Sequence, residues 1–257
     1  MRLSVHVLVV NAADVVGRAV RSLSGVADEV VLVDAGSSDG TPEVAEAACR
    51  EVGAAFRCVP LSPATHPGLF MRDDPSTWRR EVPGPFTGLH ILRRFDLARN
   101  LGLDLCTGTY VAKLDADDEV LDPVGVAKVC GFLDANPQVG VAKCPYEVEG
   151  WRGEVVVPRV WRSSPDVRFK GVIHECLVFG GGSEEAVTNM GRVRDRRDSR
   201  GVGARVHLRN YKVFLAEFER REEAGEFMDS QFLLSTISDV ADLSLAALLL
   251  DRASSAA

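Results

Sequence analysis

The chain begins with short apolar runs that alternate with stretches of helical spacing. Apolar and β-branched residues fill three early runs, each of which predicts a buried strand: residues 3–10, 29–34 and 54–59. Between the second and third runs, Thr41-Pro42-Glu43 predicts a helix start, with Thr41 as the cap and Pro42 in the first turn. This β-α-β-α-β alternation predicts a parallel sheet with right-handed crossover connections.

A fourth apolar run, Tyr110–Leu114, leads directly into Asp115-Ala116-Asp117-Asp118-Glu119. Because ligands of parallel sheets bind beyond the carboxyl ends of the strands, we expect Asp34 and this acidic stretch at one edge of the sheet. Crowded carboxylates repel one another unless a cation lies among them, and oxygen ligands suit Mg²⁺ or Mn²⁺ carried with a phosphorylated ligand. The alternative is that these acids form a turn at the protein surface. When the acids are considered without the rest of the chain, this alternative is slightly favoured.

The later chain predicts further helices and a mixed or antiparallel extension of the sheet. We expect helices at 89–105, at 122–135 and from Asn210 onward, and strands at 139–148 and 154–161. The proline-rich stretch 60–87 predicts an irregular loop, in which Trp78 either contributes to an acceptor surface or anchors the loop.

The domain prediction divides the chain near residue 190. Residues 1–190 are expected to form a nucleotide-binding catalytic domain, and residues 191–257 a basic loop with a helical extension. A chain of 257 residues is long enough to bury a large core, either as one domain or as one domain with an appendage.

Charge and composition limit the choice of partners. The formal net charge of −7 argues against a wholly basic surface for nucleic acid. Residues 192–212, however, hold seven arginines and one lysine against two aspartates. This segment is therefore expected either to bind phosphate groups or to form a solvated loop.

Three features predict a cytoplasmic protein without a membrane span. The six cysteines are scattered without a Cys-x-x-Cys pair, which is typical of reduced thiols. The N-terminus starts with a strand-like run rather than a signal peptide, and the longest C-terminal apolar run, 243–250, is too short to cross a bilayer. The apolar spacing of the C-terminal helices also makes a homodimer plausible.

Four stretches together resemble glycosyltransferase family 2, whose members have the GT-A fold and use nucleotide-activated sugars. In chain order these are Val31–Thr41, Phe95–Leu103, Leu114–Glu119, and the pair Arg159–Arg162 with Arg168–Glu175. The last pair is similar to the arginine-rich strand and His-Glu element of one bacterial and phage branch. The resemblance covers roughly residues 3–180. It implies an α/β fold with a mostly parallel central sheet flanked by helices, followed by a C-terminal helical appendage.

The resemblance also implies roles for individual residues at the donor. Asp34 would hydrogen-bond the nucleotide base, and Asn11 and Asp39 would lie in the loops that surround the donor. Arg99 would reach the base or the diphosphate. Asp115 would contact the ribose or the metal and its bound water, and Asp117 would ligate Mn²⁺ or Mg²⁺.

The implied reaction is inverting transfer from a nucleoside-diphosphate sugar, most commonly a UDP-sugar. The acceptor, a glycan, a protein or modified DNA, would lose a proton as it attacks the anomeric carbon. Glu175 is the preferred base, with His174 as a second site or metal residue. Ala12 departs from the family pattern, since relatives often carry a carboxylate there.

Two other classes of function stay open. A catalytically inactive GT-A scaffold would bind nucleotide or glycan; the loss at Ala12 permits it, but carboxylates retained without a cation would cost stability. A nucleotidyltransferase would need a phosphate loop rich in glycine and lysine after the first strand, and Asn11-Ala12-Ala13-Asp14 is not one. Release of nucleoside diphosphate rather than pyrophosphate separates transfer of a sugar from transfer of a nucleotide.

Overall fold

The computed structural model describes residues 2–74, 86–148, 153–180, 182–196 and 202–226. The chain divides into two compact units. The first contains Met1–Thr65, Leu97–Lys170 and Cys176–Arg197, and the second contains His66–Asp96, Gly171–Glu175 and Asp198–Ala257. The domain boundary near residue 190 stays a prediction.

The strands and helices are numbered in chain order. The strands are β1 (Leu3–Val9), β2 (Glu29–Asp34), β3 (Ala55–Pro60), β4 (Phe70–Arg72), β5 (His90–Leu92), β6 (Tyr110–Asp115), β7 (Asp118–Val120), β8 (Val139–Val148), β9 (Glu154–Arg162), β10 (Val167–Lys170), β11 (Cys176–Phe179), β12 (Glu184–Val187) and β13 (Val193–Asp195). The helices are α1 (Val16–Arg21), α2 (Thr41–Val52), α3 (Phe95–Leu103), α4 (Pro123–Ala135) and α5 (Val202–Ala224). A single turn of 3₁₀ helix, Pro67–Leu69, precedes β4.

A mixed sheet organises the described part of the first unit. Its strand order is β3-β2-β1-β6-β9-β8-β13-β7, with β12 paired to β8. Strands β3, β2, β1 and β6 run parallel, as the alternating pattern predicts, whereas β9 pairs antiparallel with both β6 and β8. The predicted mixed or antiparallel extension is therefore confirmed, since β8 pairs antiparallel with β9 and parallel with β12 and β13.

The register of β1 brings two predicted site residues to one edge of the sheet. Val9 lies opposite Asp34 of β2, and Leu8 lies opposite Asp115 of β6. Both acids thus stand at the carboxyl ends of strands that flank the end of β1. This arrangement confirms the expectation that Asp34 and the acidic stretch share an edge.

One face of the sheet carries the larger apolar core. Alternate residues of β1, including Val5 and Val7, are buried there with residues of α1, α2 and α4. Helix α4 begins where the sequence predicts, because Asp122 accepts a hydrogen bond from the Gly125 amide (2.8 Å) and Pro123 occupies the first turn.

Helix α3 approaches the opposite face of the sheet closely at Gly102. A Cβ atom at this position would overlap the His6 ring and lie 2.6 Å from a Val33 methyl carbon. Nearby, Leu103 and Val111 pack with Trp161 and Phe169 in a second apolar cluster. The glycine therefore permits the short distance between helix and sheet.

Replacing Gly102 by alanine should destabilise the fold by about 2 kcal/mol, because the added methyl group overpacks against His6 and Val33. Gly131 is a matched control in α4, since a Cβ there meets nothing within 4 Å. G131A should stabilise the protein by about 0.5–1 kcal/mol through helix propensity. Urea unfolding of both variants tests the pair, and equal effects would contradict the close approach at Gly102.

The second unit is held by a small apolar cluster and a buried ion pair. Ile91, Val172, Ile173 and Val213 pack together. The Lys212 ammonium group of α5 lies 2.8 and 2.6 Å from the two carboxylate oxygens of Asp73, and both residues are almost fully buried. The pair fixes α5 to the strand pair β4–β5, because the Asp73 amide donates to the Leu89 carbonyl (2.8 Å) and Asp73 directly follows β4.

Three local predictions are wrong. The segment 89–105 is not one helix: His90–Leu92 forms β5, which pairs antiparallel with β4, and α3 begins at Phe95. The C-terminal helix begins at Val202 rather than near Asn210. Thr41 is the first helical residue and does not cap α2, since Gly40 occupies the N-cap position.

Other predictions concern residues outside the described ranges. They are the role of Trp78, the apolar spacing of the C-terminal helices beyond residue 226, and the apolar run 243–250. Among the helices that the structure describes, none is long and apolar enough to cross a membrane.

The six cysteines, all within the described ranges, form no disulfide bonds. Cys49, Cys130 and Cys144 are buried, and burial raises the pKa of each, to about 11, 12 and 11 respectively. Cys58 and Cys106 are partly buried, and burial raises the pKa of both. Cys176 is exposed.

Candidate functional site

The loops that follow β1 and β2 are joined by hydrogen bonds. The Asn11 amide donates to Ser37 Oγ (2.8 Å), and the Ser38 amide donates to Asn11 Oδ1 (2.9 Å). The carboxylate of Asp34 accepts from the Ser37 amide (3.1 Å), which closes the turn after β2. Asn11 and Asp34 therefore belong to one ordered wall at the sheet edge.

Asp39 connects the same two loops at a second point. Its carboxylate accepts from the Ala13 amide (3.1 Å) and from the Thr41 amide (3.1 Å). Burial alone would raise the pKa of Asp39, but the hydrogen bonds from the Thr41 hydroxyl and from these amides lower it below the ordinary value. These contacts hold the loop that carries Asp39 against the loop that follows β1.

Asp115, at the end of β6, lies between two cations. Its carboxylate oxygens lie 2.8 Å from the Arg99 guanidinium group and 3.3 Å from the Lys113 ammonium group. Burial would raise the pKa of Asp115, but Lys113 and Arg99 hold it far below its usual range. Arg99 itself is buried and packs over the Phe169 ring, 5.5 Å from its centroid.

Asp118 is the buried support of the acidic turn, and its role was missed by sequence reasoning. Its fully buried carboxylate accepts from Arg159 (2.9 Å), from the Tyr146 hydroxyl (3.0 Å) and from the Asp115 amide (3.0 Å). Burial raises the pKa of Asp118 to about 6 although Arg159 opposes this shift. The resemblance includes Arg159, but no local signal pairs it with Asp118, since the two residues are 41 positions apart.

The remaining acids of the turn, Asp117 and Glu119, contact Arg196, which directly follows β13. Glu119 pairs with Arg196 (2.6 Å), whose amide donates to the Asp117 carbonyl (3.0 Å). Asp117 is partly exposed on the turn between β6 and β7. The protein therefore supplies a cation of its own next to each of Asp115, Asp118 and Glu119.

The basic segment is not a free loop where it is described. Arg194 lies in β13 and Arg192 directly precedes this strand; they pair with Glu147 at 2.6 and 2.8 Å, respectively. Residues from Val202 onward form α5. Glu147 and Glu119 thus neutralise part of the positive charge of Arg192, Arg194 and Arg196.

His6 lies beneath this site in the middle of β1. Its ring is fully buried, and neither ring nitrogen has a hydrogen-bond partner among the described residues. Burial lowers the pKa of His6 to about 3, and the adjacent cations Arg99 and Lys113 contribute to the decrease. The imidazole is therefore neutral at physiological pH.

This pKa makes the fold sensitive to acid. The unfolded state binds a proton at His6 below about pH 6.5, whereas the folded state does so only near pH 3. Stability is thus fully present above pH 6.5 and decreases as the pH falls towards 3. Between pH 7 and pH 5 the loss from this group is about 2 kcal/mol.

H6L should therefore lose about 2 kcal/mol less than the wild type between pH 7 and pH 5, as measured by urea unfolding. H90L, which changes an exposed histidine, is the matched control. A pH dependence of H6L equal to that of the wild type would contradict the buried neutral imidazole.

His174 and Glu175 belong to the second unit. Val172 and Ile173 anchor this segment in the apolar cluster, His174 is exposed, and Glu175 is partly buried. His174 has a φ of 51°, in the left-handed region, as has Asn11 at 49°; no other non-glycine residue of the described ranges has a positive φ. Asparagine and histidine are among the residue types that adopt this region most readily, so the two angles do not by themselves assign a role to either residue.

The acidic side chains of the turn could hold a divalent ion if a bound ligand supplied further oxygen atoms. Within the described ranges no three His, Cys, Asp or Glu side chains are grouped so as to hold a metal by themselves. The carboxylates at the end of β6 are nevertheless hard oxygen ligands, and Mg²⁺ is commonly bound by one or two carboxylates together with substrate phosphates. The residues present therefore suit an ion that is shared with a diphosphate.

This sheet order, with acids at the carboxyl ends of β2 and β6, defines the GT-A fold. The family model described as Glycosyl transferase family 2 matches residues 4–58, which include β1, β2 and most of β3. A comparison with curated proteins gave no match.

Solved structures share the fold at low sequence identity. S. aureus TarS, residues 1–349, is similar at 14% identity and a TM-score of 0.50, over 84% of this chain and 65% of that one. Mannosyl-3-phosphoglycerate synthase from Rubrobacter xylanophilus is similar at 16% identity and a TM-score of 0.50, over 90% of this chain and 77% of that one. The chain thus spans about two thirds of the length of the TarS fragment.

Proposed function

We propose that this protein is an inverting, metal-dependent glycosyltransferase that uses a nucleoside-diphosphate sugar, with a UDP-sugar favoured. The shared edge of the sheet carries the proposal, because Asp34 and Asp115 flank the end of β1 where nucleotides bind in α/β folds. The match of residues 4–58 to Glycosyl transferase family 2 supports it independently.

In this proposal each residue of the edge has one task. Asp34 hydrogen-bonds the base, and Asn11 and Asp39 hold the surrounding loops in position. Arg99 fixes Asp115, which contacts the ribose and the metal site. Asp117 is the principal ligand of Mn²⁺ or Mg²⁺, which when bound would neutralise charge on the departing nucleoside diphosphate.

The base is proposed from the His-Glu element of the sequence. We propose Glu175 as the base that removes the proton of the acceptor hydroxyl, with His174 as its neighbour in the site. E175Q should lower transfer about 100-fold, because the amide cannot accept the proton, while donor binding stays unchanged. Two quantities are compared between E175Q and the wild type. The rate of nucleoside diphosphate release measures transfer, and the donor dissociation constant measures donor binding. Near-normal transfer by E175Q would assign the base elsewhere.

The proposal is tested first by binding. UDP, GDP, CDP and TDP, each with and without Mn²⁺, are compared by thermal denaturation of the wild-type protein. A nucleotide at about 100 times its dissociation constant should add about 2.7 kcal/mol of stability. A Mn²⁺-dependent shift with one nucleotide supports the donor site, and the absence of a shift with all four contradicts it.

The inactive scaffold is the second candidate, and one observation favours it. Arg99, Lys113, Arg159 and Arg196 compensate acids of the turn, so these carboxylates can be retained without the stability cost that would argue against a scaffold. A scaffold would bind nucleotide without releasing nucleoside diphosphate from any sugar donor. Release of nucleoside diphosphate from a sugar donor would therefore support the glycosyltransferase and contradict the inactive scaffold.

The acceptor is a glycan, a protein or modified DNA in this proposal. Ion pairing of the described arginines of residues 192–196 argues against strong phosphate binding by that part of the segment. A homodimer and a cytoplasmic location are part of the same proposal. Salt-dependent affinity for duplex DNA would favour the DNA acceptor.

A further inference from the structure

Lys113 is a charged residue in a position that the proposed reaction does not use. It lies in β6 opposite His6 of β1, two residues before Asp115, so its side chain is on the same face of the sheet as that of Asp115. The ammonium group lies 3.3 Å from the Asp115 carboxylate and is partly exposed. Lys113 therefore places a cation at the edge where the donor would bind.

Asp115 has a second cationic neighbour besides Lys113. Arg99 already pairs with it at 2.8 Å from a buried position, so the local arrangement holds two positive groups for one carboxylate. The buried imidazole of His6 beneath them is neutral and adds no charge. Of the two cations, Lys113 has the longer contact and a flexible stem, so its ammonium group can turn towards a ligand without breaking the Arg99 pair.

We propose that Lys113 binds the diphosphate of the donor directly and provides part of the donor affinity without a metal ion. This inference rests on the proposed function and extends it. Asp117 and Lys113 then have separate tasks: Asp117 provides the affinity that depends on Mn²⁺, and Lys113 provides affinity that persists in EDTA. Because Asp117 is itself negative, its charge opposes a diphosphate when no metal is present.

Titration calorimetry with the best-binding nucleoside diphosphate, in EDTA and in Mn²⁺, tests the separation. In EDTA, K113M should bind about tenfold more weakly than the wild type, the scale of one charge-assisted hydrogen bond. The affinity for the corresponding nucleoside, which lacks phosphates, should be unchanged. D117N should behave in the opposite way, losing the gain from Mn²⁺ while keeping or increasing affinity in EDTA.

Two further variants control for structure. K113R, which keeps the charge, should retain most of the EDTA affinity, and K128M, which removes an exposed lysine of α4, should bind like the wild type. If K113M binds the diphosphate in EDTA as tightly as the wild type, the inference is wrong. It is also wrong if the wild type binds only with Mn²⁺, an outcome that leaves the proposed function intact. Absence of binding in both conditions overturns both.

Discussion

D117N should lower sugar transfer by about 1,000-fold while leaving the stability of the protein almost unchanged. Loss of one preorganised electrostatic group at a developing charge costs about 10²–10³ in rate, and Asp117 is the proposed ligand of the ion that would counter this charge. The substitution keeps the shape of a partly exposed side chain and leaves the carbonyl that accepts from Arg196 in place.

The measurement is release of nucleoside diphosphate from the donor that binds, together with a melting curve. D104N is the matched control, since Asp104 is an exposed carboxylate of the same unit that pairs only weakly with Arg168 at the surface. Near-wild-type transfer by D117N would remove Asp117 from the proposed metal site. A large fall in melting temperature would instead assign it a structural role.

R159M should destabilise the protein by about 3–5 kcal/mol, because it leaves the fully buried Asp118 carboxylate without its ion-pair partner. Tyr146 and the Asp115 amide would still donate to Asp118, but neither carries a charge. R168M is the surface control, and loss of its exposed pair with Asp104 should cost less than about 1 kcal/mol.

A double variant isolates the cause. R159M combined with D118N should recover about 2 kcal/mol relative to R159M alone, because the carboxamide has no charge to leave unpaired. Urea unfolding measures the free energy of unfolding of the wild type, R159M, R168M and the double variant. If R159M costs no more than R168M, the buried pair does not support the acidic turn.

Repeating patterns made the parallel half of the fold predictable. Three apolar runs alternate with helical segments, and parallel strands must present their carboxyl ends at one edge, so the proximity of Asp34 and Asp115 could be inferred without coordinates. The helix at 123–135 was equally accessible, because Asp122 and Pro123 mark its start.

Elements that depend on distant partners were not predictable. His90–Leu92 has no strand pattern of its own, and it is a strand only because Phe70–Arg72 pairs with it. The charge compensation of the acidic turn depends on Arg159 and Arg196, which are 41 and 77 residues from their acidic partners. Such pairs leave no local signal, so the sequence could not show that the fold places its own cations beside these acids.

The distribution of thiols has a practical consequence for probing the site. Five cysteines are wholly or partly buried with a raised pKa, and they should react slowly with maleimides at neutral pH. Cys176 is exposed and directly follows Glu175. A single fluorophore can thus be attached beside the proposed base in the wild-type sequence, where its emission would report acceptor binding without further mutagenesis.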